Sequence, residues 1–514
     1  MKRLLALLLC AVIFCGMLSG CNQEEAPYIP TGDALDDGSG NSQKPNPNPP
    51  EQNLTLIYYP NRSMNPYTAT DYTNRVLFPL LYQGLFSVDR DYNVSPILCE
   101  SYRVSADTKT YTFFPAKAMF SDGTALTAQD VVASLNAAKA GTYYKGRFQH
   151  IKSIQAEGES VVIKLDTAFE NLPLLLDIPI VKASEVDAAS PLGTGPYVMD
   201  TSLSGRRLRR QAAWWCTNQA AMVVNANYIP LVNATSPSQI RDQFEFADVG
   251  LVCTDPGSDT YADYRGDHEI WECENGLFLY LVCHKDSPVF SNDTVRRALT
   301  YAIDRDYLVE NYYRKYARSA TLPASPDSPY YNAELANQYS YNSQKFTDAL
   351  TNANMQGAAV TMLINADDSL RLRVGRQIAK MLTACGLEVT LTEVSSQRFV
   401  EYLRFSTYDL YLGQTKLSPN MDLSPFFKTS GSLSYGGLAD PVIYEMAKEA
   451  LANQGNFYNL HKLVLEDAQL CPILTRSYAV YATRGLVTEL NPARDNLFYY
   501  HLGKTMADAL ETSN

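Results

Sequence analysis

The sequence is poor in the residues and motifs that common catalytic and metal sites use. It has 5 histidines and 3 tryptophans among 514 residues, and no two histidines are four residues apart, as a helical zinc pair requires. Neither the Gly-x-Ser-x-Gly turn of serine hydrolases nor the His-Glu-x-x-His pair of zinc proteases occurs. These absences argue against an enzyme built on a known motif, and neither a cofactor nor a metal is expected.

Long apolar runs and a basic charge balance are also missing. Apolar residues form a long run only within the first 20 residues, so no later segment is predicted to span a membrane. The formal net charge of −12 becomes −14 when Lys2 and Arg3 are removed with a leader. Nucleic acid is therefore not an expected partner. The length predicts two or three domains.

The cysteines show no pairing pattern. None of the 10 cysteines forms a Cys-x-x-Cys pair, and seven remain beyond Cys10, Cys15 and Cys21. Because seven is odd, at least one has no partner within the chain. A chain of this length does not depend on disulfides for its stability, so buried free thiols are expected.

The N-terminus has the features of a leader that is removed on export. Lys2 and Arg3 precede an apolar stretch from Leu4 to Leu18, and Leu18-Ser19-Gly20-Cys21 resembles the lipobox of bacterial lipoprotein precursors. Two acyl chains on the Cys21 thiol would give a lasting anchor, since a single chain binds a bilayer only marginally. An ordinary secretory leader with a chance cysteine is the alternative. Residues 1–20 are thus interpreted as a signal peptide, and the protein as extracytoplasmic and lipid-anchored to a bacterial membrane.

Residues 21–52 predict a disordered tether behind that cysteine. Six prolines stand among glycine, asparagine, aspartate and serine, with almost nothing apolar to bury. A flexible chain of this length reaches roughly 30 Å, so the folded part would stand clear of the membrane.

Hydrophobic periodicity predicts an α/β unit in the second half of the chain. Strand, helix, strand, helix and strand are predicted over residues 360–364, 370–382, 387–394, 399–405 and 409–412. The first of these helices has apolar residues on one face, at positions 370, 374, 378 and 382. In such sheets ligands bind beyond the carboxyl ends of the strands, which points to Gly413-Gln414-Thr415-Lys416 as a ligand loop. A plain solvated loop is the alternative.

The first half of the chain predicts further strands and one capped helix. Strands are expected at residues 54–59, 111–114 and 161–165. Thr127 and Asp130 have the spacing of a capping box, which predicts a helix that begins there and continues to Ala140.

Eight short segments, taken in their order along the chain, match the motifs of one protein family. The longest is FSDGTALTAQDV, from Phe120 to Val131. The others cover residues 63–66, 81–85, 96–102, 111–113, 193–197, 295–299 and 302–305. In this order they resemble the extracellular solute-binding proteins of family 5, the peptide, nickel and oligosaccharide receptors of ABC importers.

The resemblance implies an α/β fold of the periplasmic-binding-protein type, a two-lobed clamshell with an extra subdomain in lobe one. The implied boundaries are residues 53–86, 193–283 and 481–514 for lobe one, 87–192 for the inserted subdomain and 284–480 for lobe two. Crossings near His284 and near Tyr478 to Tyr481 would form the hinge about which the lobes close on a solute.

One family feature is absent from the last strand of the α/β unit. Peptide receptors of the family often have Gly-Trp-x-x-Asp there, and the aspartate pairs with the free amine of the ligand. Alignment on Gly413 puts Gln414 at the tryptophan and Leu417 at the aspartate. The amine anchor is therefore missing unless Asp422 reaches in from a shifted loop.

Two cations complete the candidate ligand-binding residues. Lys416 lies in the predicted loop, and Arg62 follows the first strand together with Asn61, where the resemblance implies ligand contacts from lobe one. Both cations would suit an anionic group on the ligand, and solvated side chains are the alternative reading.

Capture without catalysis is the function that follows. The expected ligand is a peptide or a similar small polar solute, which a monomer would deliver to a membrane permease powered by a cytoplasmic ATPase. A sensor or adhesin on the same fold would bind ligand without supporting uptake. A surface hydrolase and a carrier of nickel held through a small chelator are further alternatives.

Overall fold

The computed structural model describes residues 54–203, 205–216, 226–258, 261, 263–405, 408–486, 490 and 492–497. The predicted signal peptide, Cys21 and the tether lie outside these ranges. Among the described helices, none combines the length and the apolarity that crossing a bilayer requires.

The described residues form 17 strands in three sheets. In chain order the strands are β1 Leu56–Tyr58, β2 Phe86–Val88, β3 Val94–Pro96, β4 Cys99–Val104, β5 Thr110–Pro115, β6 Ile151–Glu157, β7 Ser160–Leu165, β8 Tyr197–Leu203, β9 Gly205–Arg210, β10 Tyr228–Asn233, β11 Leu251–Thr254, β12 His268–Cys283, β13 Ala317–Ser319, β14 Ala359–Asn365, β15 Glu388–Val394, β16 Leu410–Lys416 and β17 Leu470–Thr483.

The same residues form 13 α-helices. They are α1 Tyr72–Arg75, α2 Phe78–Leu81, α3 Ala128–Ala140, α4 Pro237–Glu245, α5 Asp293–Ala298, α6 Arg305–Tyr312, α7 Ala333–Asn337, α8 Ser343–Asn352, α9 Ser369–Ala384, α10 Ser396–Phe405, α11 Ser424–Phe427, α12 Pro441–Ala452 and α13 Phe457–Asp467. A short 3₁₀ helix, Lys145–Phe148, follows α3 and borders the site described below.

One large mixed sheet holds most of the strands. Its order is β15-β14-β16-β12-β17-β11-β1-β10-β9-β8, and β13 pairs with β17 outside this path. The two longest strands, β12 with 16 residues and β17 with 14, run antiparallel in the middle. β17 also pairs with β11, and β12 also pairs with β16, so β12 and β17 connect two halves of the sheet.

The two halves meet at a bulge in β12. The register of β12 against β17 shifts between Glu274 and Phe278, and Gly276 in this bulge has φ of +74°. A bulge bends its strand and increases the local twist. His284, near which the sequence predicted a crossing, lies beyond the end of β12, and its backbone N–H donates to the carbonyl of Asp409 at 2.8 Å.

Both faces of the large sheet are covered. Phe278, Tyr280 and Val282 of β12 pack into one apolar core, whereas the alternate residues Leu279 and Leu281 pack into a second one. Period-two alternation between two buried faces is what a central strand of an α/β sheet requires.

The predicted α/β unit is confirmed. β14 lies between β15 and β16 and is parallel to both, and α9 and α10 connect these strands. The four predicted apolar positions of α9, residues 370, 374, 378 and 382, are buried. The helix ends just before Gly386, which adopts φ of +112°, a conformation that glycine reaches at no steric cost.

Strand β16 is longer than predicted, which corrects the placement of the ligand loop. Residues Gly413 to Lys416 lie within β16, paired with Leu277 to Tyr280 of β12, and not in a loop after the strand. The antiparallel partner satisfies the backbone of these residues, so the strand continues although their side chains are polar. A Cβ at Gly413 would lie 2.4 Å from the Tyr280 ring, so this glycine makes room for that ring. The loop begins at Leu417.

A separate antiparallel sheet, β4-β5-β7-β6, carries α3. The predicted capping box is present: Thr127 Oγ1 accepts from Asp130 N–H at 3.3 Å, and Asp130 Oδ2 accepts from Thr127 N–H at 2.9 Å. β5 and β7 coincide with the predicted strands, so sequence and structure agree in this part of the chain.

The expected buried thiols are present in the described residues. They are Cys99, Cys253, Cys273, Cys283, Cys385 and Cys471. Burial raises the pKa of Cys99 to about 11 and that of Cys273 to about 12, so neither is a reactive thiolate near neutral pH.

Candidate ligand-binding cleft

A cavity of about 420 Å³ lies between two segments that are far apart in sequence. The first segment, residues 142–149, follows α3 and includes the 3₁₀ helix. The second, residues 415–433, begins with the end of β16, and Arg494 contributes to a further wall. Small-molecule sites typically measure about 300–1,000 Å³, so the cavity is large enough for a small solute.

Three of the five predicted residues around β16 line this cavity: Thr415, Lys416 and Leu417. Gln414 does not, because its side-chain oxygen accepts from Arg476 Nη1 at 3.3 Å. Gly413 is likewise absent from the cavity wall.

The two predicted residues after the first strand lie elsewhere. Asn61 and Arg62 are exposed in a turn that follows β1, in which Arg62 N–H donates to the carbonyl of Tyr59 at 3.2 Å. Neither residue borders the cavity. The structure thus brings Thr415, Lys416 and Leu417 to one site without Asn61 and Arg62.

Lys416 joins the two segments through a shared carboxylate. Its Nζ donates to Asp495 Oδ1 at 3.1 Å and to the Tyr143 hydroxyl at 2.9 Å, and lies 4.0 Å from the centroid of the Tyr143 ring. Asp495 also accepts from Tyr143 and, at 2.6 Å, from Arg147 Nη2. One carboxylate therefore holds three donors at the margin of the cavity.

Electrostatics around Lys416 favour its neutral form more than usual. Burial, together with the cations Arg494, Arg147 and Arg75, outweighs the attraction of Asp495 and lowers the pKa of Lys416 to about 8. Burial would raise the pKa of Asp495, but Lys416, Arg147 and Arg75 hold it well below the ordinary range. Asp495 is therefore ionised throughout the neutral range, whereas Lys416 titrates near its upper end.

A second contact crosses the same cleft. His150 Nε2 lies 3.2 Å from Asp422 Oδ2, and His150 Nδ1 lies 3.0 Å from Asp166 Oδ1. Burial lowers the pKa of His150, but the two carboxylates outweigh it and raise the pKa above the usual value. Asp422 is fully engaged, because its Oδ1 accepts from Ser424 N–H at 2.8 Å. Asp422 thus lines the cavity, but its oxygens already serve His150 and Ser424.

The contacts of His150 with Ser424 and Asp166 resemble those of a catalytic triad, in which a base lies between a nucleophile and an acid. Ser424 Oγ lies 3.1 Å from His150 Nε2. The same Nε2 faces the Asp422 carboxylate and so carries a proton, which prevents it from accepting one from the serine. Ser424 is also fully buried, and the separate cavity that His150 borders measures only about 10 Å³. The arrangement does not fit serine catalysis.

A bulge makes room for Arg494 beside the cavity. Its Nη2 donates to the Leu417 carbonyl at 2.7 Å, and an added Cβ at Gly276 would lie 2.0 Å from that nitrogen. Gly276 therefore serves both the positive φ of the bulge and the close approach of the guanidinium.

Ligands for a resident metal do not converge in the described ranges. Within them, no three His, Cys, Asp or Glu side chains are grouped so that they could hold a metal ion.

The family model for bacterial extracellular solute-binding proteins, family 5 middle region, matches residues 93–435. The chain belongs to this family. Among its relatives, the glutathione-binding protein GsiB of Escherichia coli K12 is 24% identical over 365 residues, which are 66% of this chain and 69% of GsiB.

Solved structures show the fold that family 5 shares. HbpA2 from Haemophilus parasuis has a TM-score of 0.72 at 16% identity, over 87% of this chain and 98% of its own. NikA from Brucella suis, in complex with Fe(III)-EDTA, has a TM-score of 0.69 at 18% identity, over 87% and 98%. The predicted two-lobed α/β fold is thereby confirmed.

Several residues of the candidate site were not predicted from the sequence. Tyr143, Arg147, His150, Arg494 and Asp495 all take part in the contacts around the cleft. Asp495 is 79 residues from Lys416 in sequence, and no local pattern marks it. Tyr143 and Arg147 follow the C-terminal end of the capped helix, which was the only sequence signal near them.

Proposed function

We propose that this family 5 protein captures a peptide or a similar small polar solute in the cleft between residues 142–149 and 415–433. The observation that carries the proposal is the cavity of about 420 Å³ whose walls come from three distant parts of the chain. Walls of this kind can separate and close again, as solute capture by a clamshell requires.

The predicted domain boundaries fit this proposal with one adjustment. Residues 142–149 fall in the inserted subdomain, residues 415–433 in lobe two and Arg494 in lobe one. We place one hinge crossing at the β12 bulge, residues 274–278, instead of near His284. Before the bulge β12 pairs with β17, and after it β12 pairs with both β17 and β16. Solute between the walls would add contacts available only to the closed state.

A free peptide amine is not the anchor that we propose. Leu417 lines the cavity and is 4% exposed, and Asp422 is engaged by His150 and Ser424. The relative GsiB is named for glutathione binding, so glutathione is the first solute to test.

The captured solute would be delivered to a membrane permease for uptake. Deletion of the gene should abolish uptake of the solute that the purified protein binds, and reintroduction should restore it. Binding with unchanged uptake after deletion would instead support a sensor or an adhesin. Turnover of a bound compound by the purified protein would support a hydrolase.

Lipid anchoring through Cys21 would keep the protein at the membrane. Labelling cells with a radioactive or clickable fatty acid should mark the wild-type protein and not the Cys21→Ala variant. Cys15→Ala, within the apolar stretch of the leader, is the matched control and should keep the label. Label on the Cys21→Ala variant would contradict the anchor.

Thermal stability reports binding independently of uptake. At a solute concentration of a hundred times Kd, binding to the folded state adds roughly 2.7 kcal/mol of stability. Glutathione and a set of di- and tripeptides should therefore include at least one compound that raises Tm. If no peptide-like compound does so, the peptide part of the proposal fails.

A further inference from the structure

The charged side chains on the cavity wall are of predominantly one sign. Among the described residues that line it, Lys145, Arg147, Lys416 and Arg494 are cationic and Asp422 alone is anionic. His150 lies 3.2 Å from the Asp422 carboxylate and, when protonated, offsets its charge. The charged side chains that line the cavity are therefore mostly cationic, although the whole chain is acidic.

The carboxylates that balance these cations border a second cavity, which Arg494 borders too. Asp177, Glu274 and Asp495 border a separate cavity of about 120 Å³ and are absent from the wall of the larger one. Arg147 Nη2 donates to Asp495, and Arg494 approaches Glu274 only at 3.8 Å. These ion pairs hold the cations in position beside the cavity.

Arg494 lines this wall as a nearly buried cation. Its side chain is 8% exposed, Nη2 donates to the Leu417 carbonyl, and Nε has no acceptor among the described residues. Because this guanidinium is largely removed from water, it would attract an anionic group of a ligand in the cavity more strongly than an exposed cation would.

We propose that this cavity selects solutes with a carboxylate beyond the one that every peptide has at its C-terminus, and that Lys416 and Arg494 receive that carboxylate. The inference rests on the proposed function, because it specifies the solute class of the same cleft. Lys145, exposed at the rim, attracts the same group.

Binding of such a carboxylate should be coupled to a proton. The pKa of Lys416 is about 8, and an anion bound beside it would raise that pKa. At pH 8 the protein should therefore take up a fraction of a proton on binding. Calorimetry in two buffers of different ionisation enthalpy measures that fraction directly.

The test compares three tripeptides on the full mature protein by isothermal titration calorimetry. Ala-Glu-Ala, Ala-Gln-Ala and Ala-Gln-Ala amide carry two, one and no carboxylates and are otherwise alike in size. Affinity should fall in that order, with about a tenfold gap between the first two. Lys416→Met should remove most of that gap, whereas Lys152→Met, an exposed lysine of β6 outside the cavity, should leave it intact.

The outcomes separate this inference from the proposed function. Equal affinities for Ala-Glu-Ala and Ala-Gln-Ala, or a neutral or cationic solute retained on purification, would overturn the anionic preference and leave solute capture standing. An anionic retained solute would support the inference even where no test peptide binds. No bound solute and no binding by any compound would overturn solute capture itself.

Discussion

Lys416 and Asp495 are 79 residues apart in sequence, yet the Lys416 ammonium donates to the Asp495 carboxylate at 3.1 Å. Lys416 is the last residue of β16, and Asp495 lies in the C-terminal part of the chain beyond β17. The same carboxylate accepts from Tyr143 and Arg147 after α3. A single side chain therefore joins the three regions whose relative positions define the cavity.

Loss of the Asp495 charge should destabilise the fold more than loss of the Lys416 charge. Asp495→Asn leaves the buried Arg147 with Asp177 as its remaining carboxylate and takes the carboxylate partner from the partly exposed Lys416, and breaking a buried pair costs about 3–5 kcal/mol at most. Lys416→Met should cost clearly less, because Asp495 keeps Arg147 and Tyr143. Urea unfolding measures both free energies, and a Lys416→Met cost equal to or above that of Asp495→Asn would contradict this account.

The contact between His150 and Asp422 should make stability depend on pH. The folded pKa of His150 is raised, so its contribution is fully present below the unfolded pKa of about 6.5 and is lost as pH rises through the folded value. The folded pKa of Asp422 is lowered by His150 and Ser424 in spite of its burial, so its contribution is lost only as pH falls below about 3.9. The Tm difference between wild type and His150→Gln should be largest between about pH 4 and 6.5.

His268→Gln is the matched control for that experiment. Burial lowers the pKa of His268, so the sign of its pH effect is opposite. If the Tm difference for His150→Gln grows as pH rises above 7, the assigned ion pairs with Asp422 and Asp166 are wrong.

Gly276→Ala should destabilise the protein through a collision as well as through its backbone conformation. The positive φ alone costs an alanine roughly 1–3 kcal/mol, and the new Cβ would also displace the Arg494 guanidinium. Gly266 has φ of +96° and open space around its Cβ position, so Gly266→Ala carries the conformational cost alone. Equal unfolding free energies for the two variants would show that Arg494 does not depend on Gly276.

Ser424→Ala should leave any turnover by the purified protein unchanged. The hydroxyl lies beside His150 in a buried site, so its removal costs about 1 kcal/mol of stability and no chemistry. A compound consumed by wild type and spared by Ser424→Ala would reverse this view, since it would show that the serine acts as a nucleophile. Ser432→Ala, at the exposed part of the cavity wall, is the control.

Local patterns predicted the elements well where the deciding interactions are themselves local. The Thr127–Asp130 capping box involves neighbours three residues apart, and the apolar face of α9 repeats within one helix, so both could be predicted from the sequence. The end of β16 could not. Its last four residues look like a loop, and only the partner strand β12, more than a hundred residues earlier, keeps them extended.

The same distinction explains the candidate site. Thr415 and Lys416 were predicted from the position of the last strand of the α/β unit, as topology predicts for ligands in open α/β sheets, and Leu417 from alignment with the family motif. Arg494, Asp495 and His150 reach the cleft through tertiary contacts across the chain, which leave no short motif. Asn61 and Arg62 were included by resemblance, and the turn after β1 holds them away from the cavity wall.

The central claim is that the cleft between residues 142–149 and 415–433 holds a small solute. Protein purified from its native cell envelope without refolding should be analysed by native mass spectrometry, then denatured so that any released compound can be identified. We expect one class of small polar solute in near-stoichiometric amount, and much less of it in the Lys416→Met variant prepared in the same way. Protein without any retained compound, which also shows no Tm shift with any solute tested, would contradict the account.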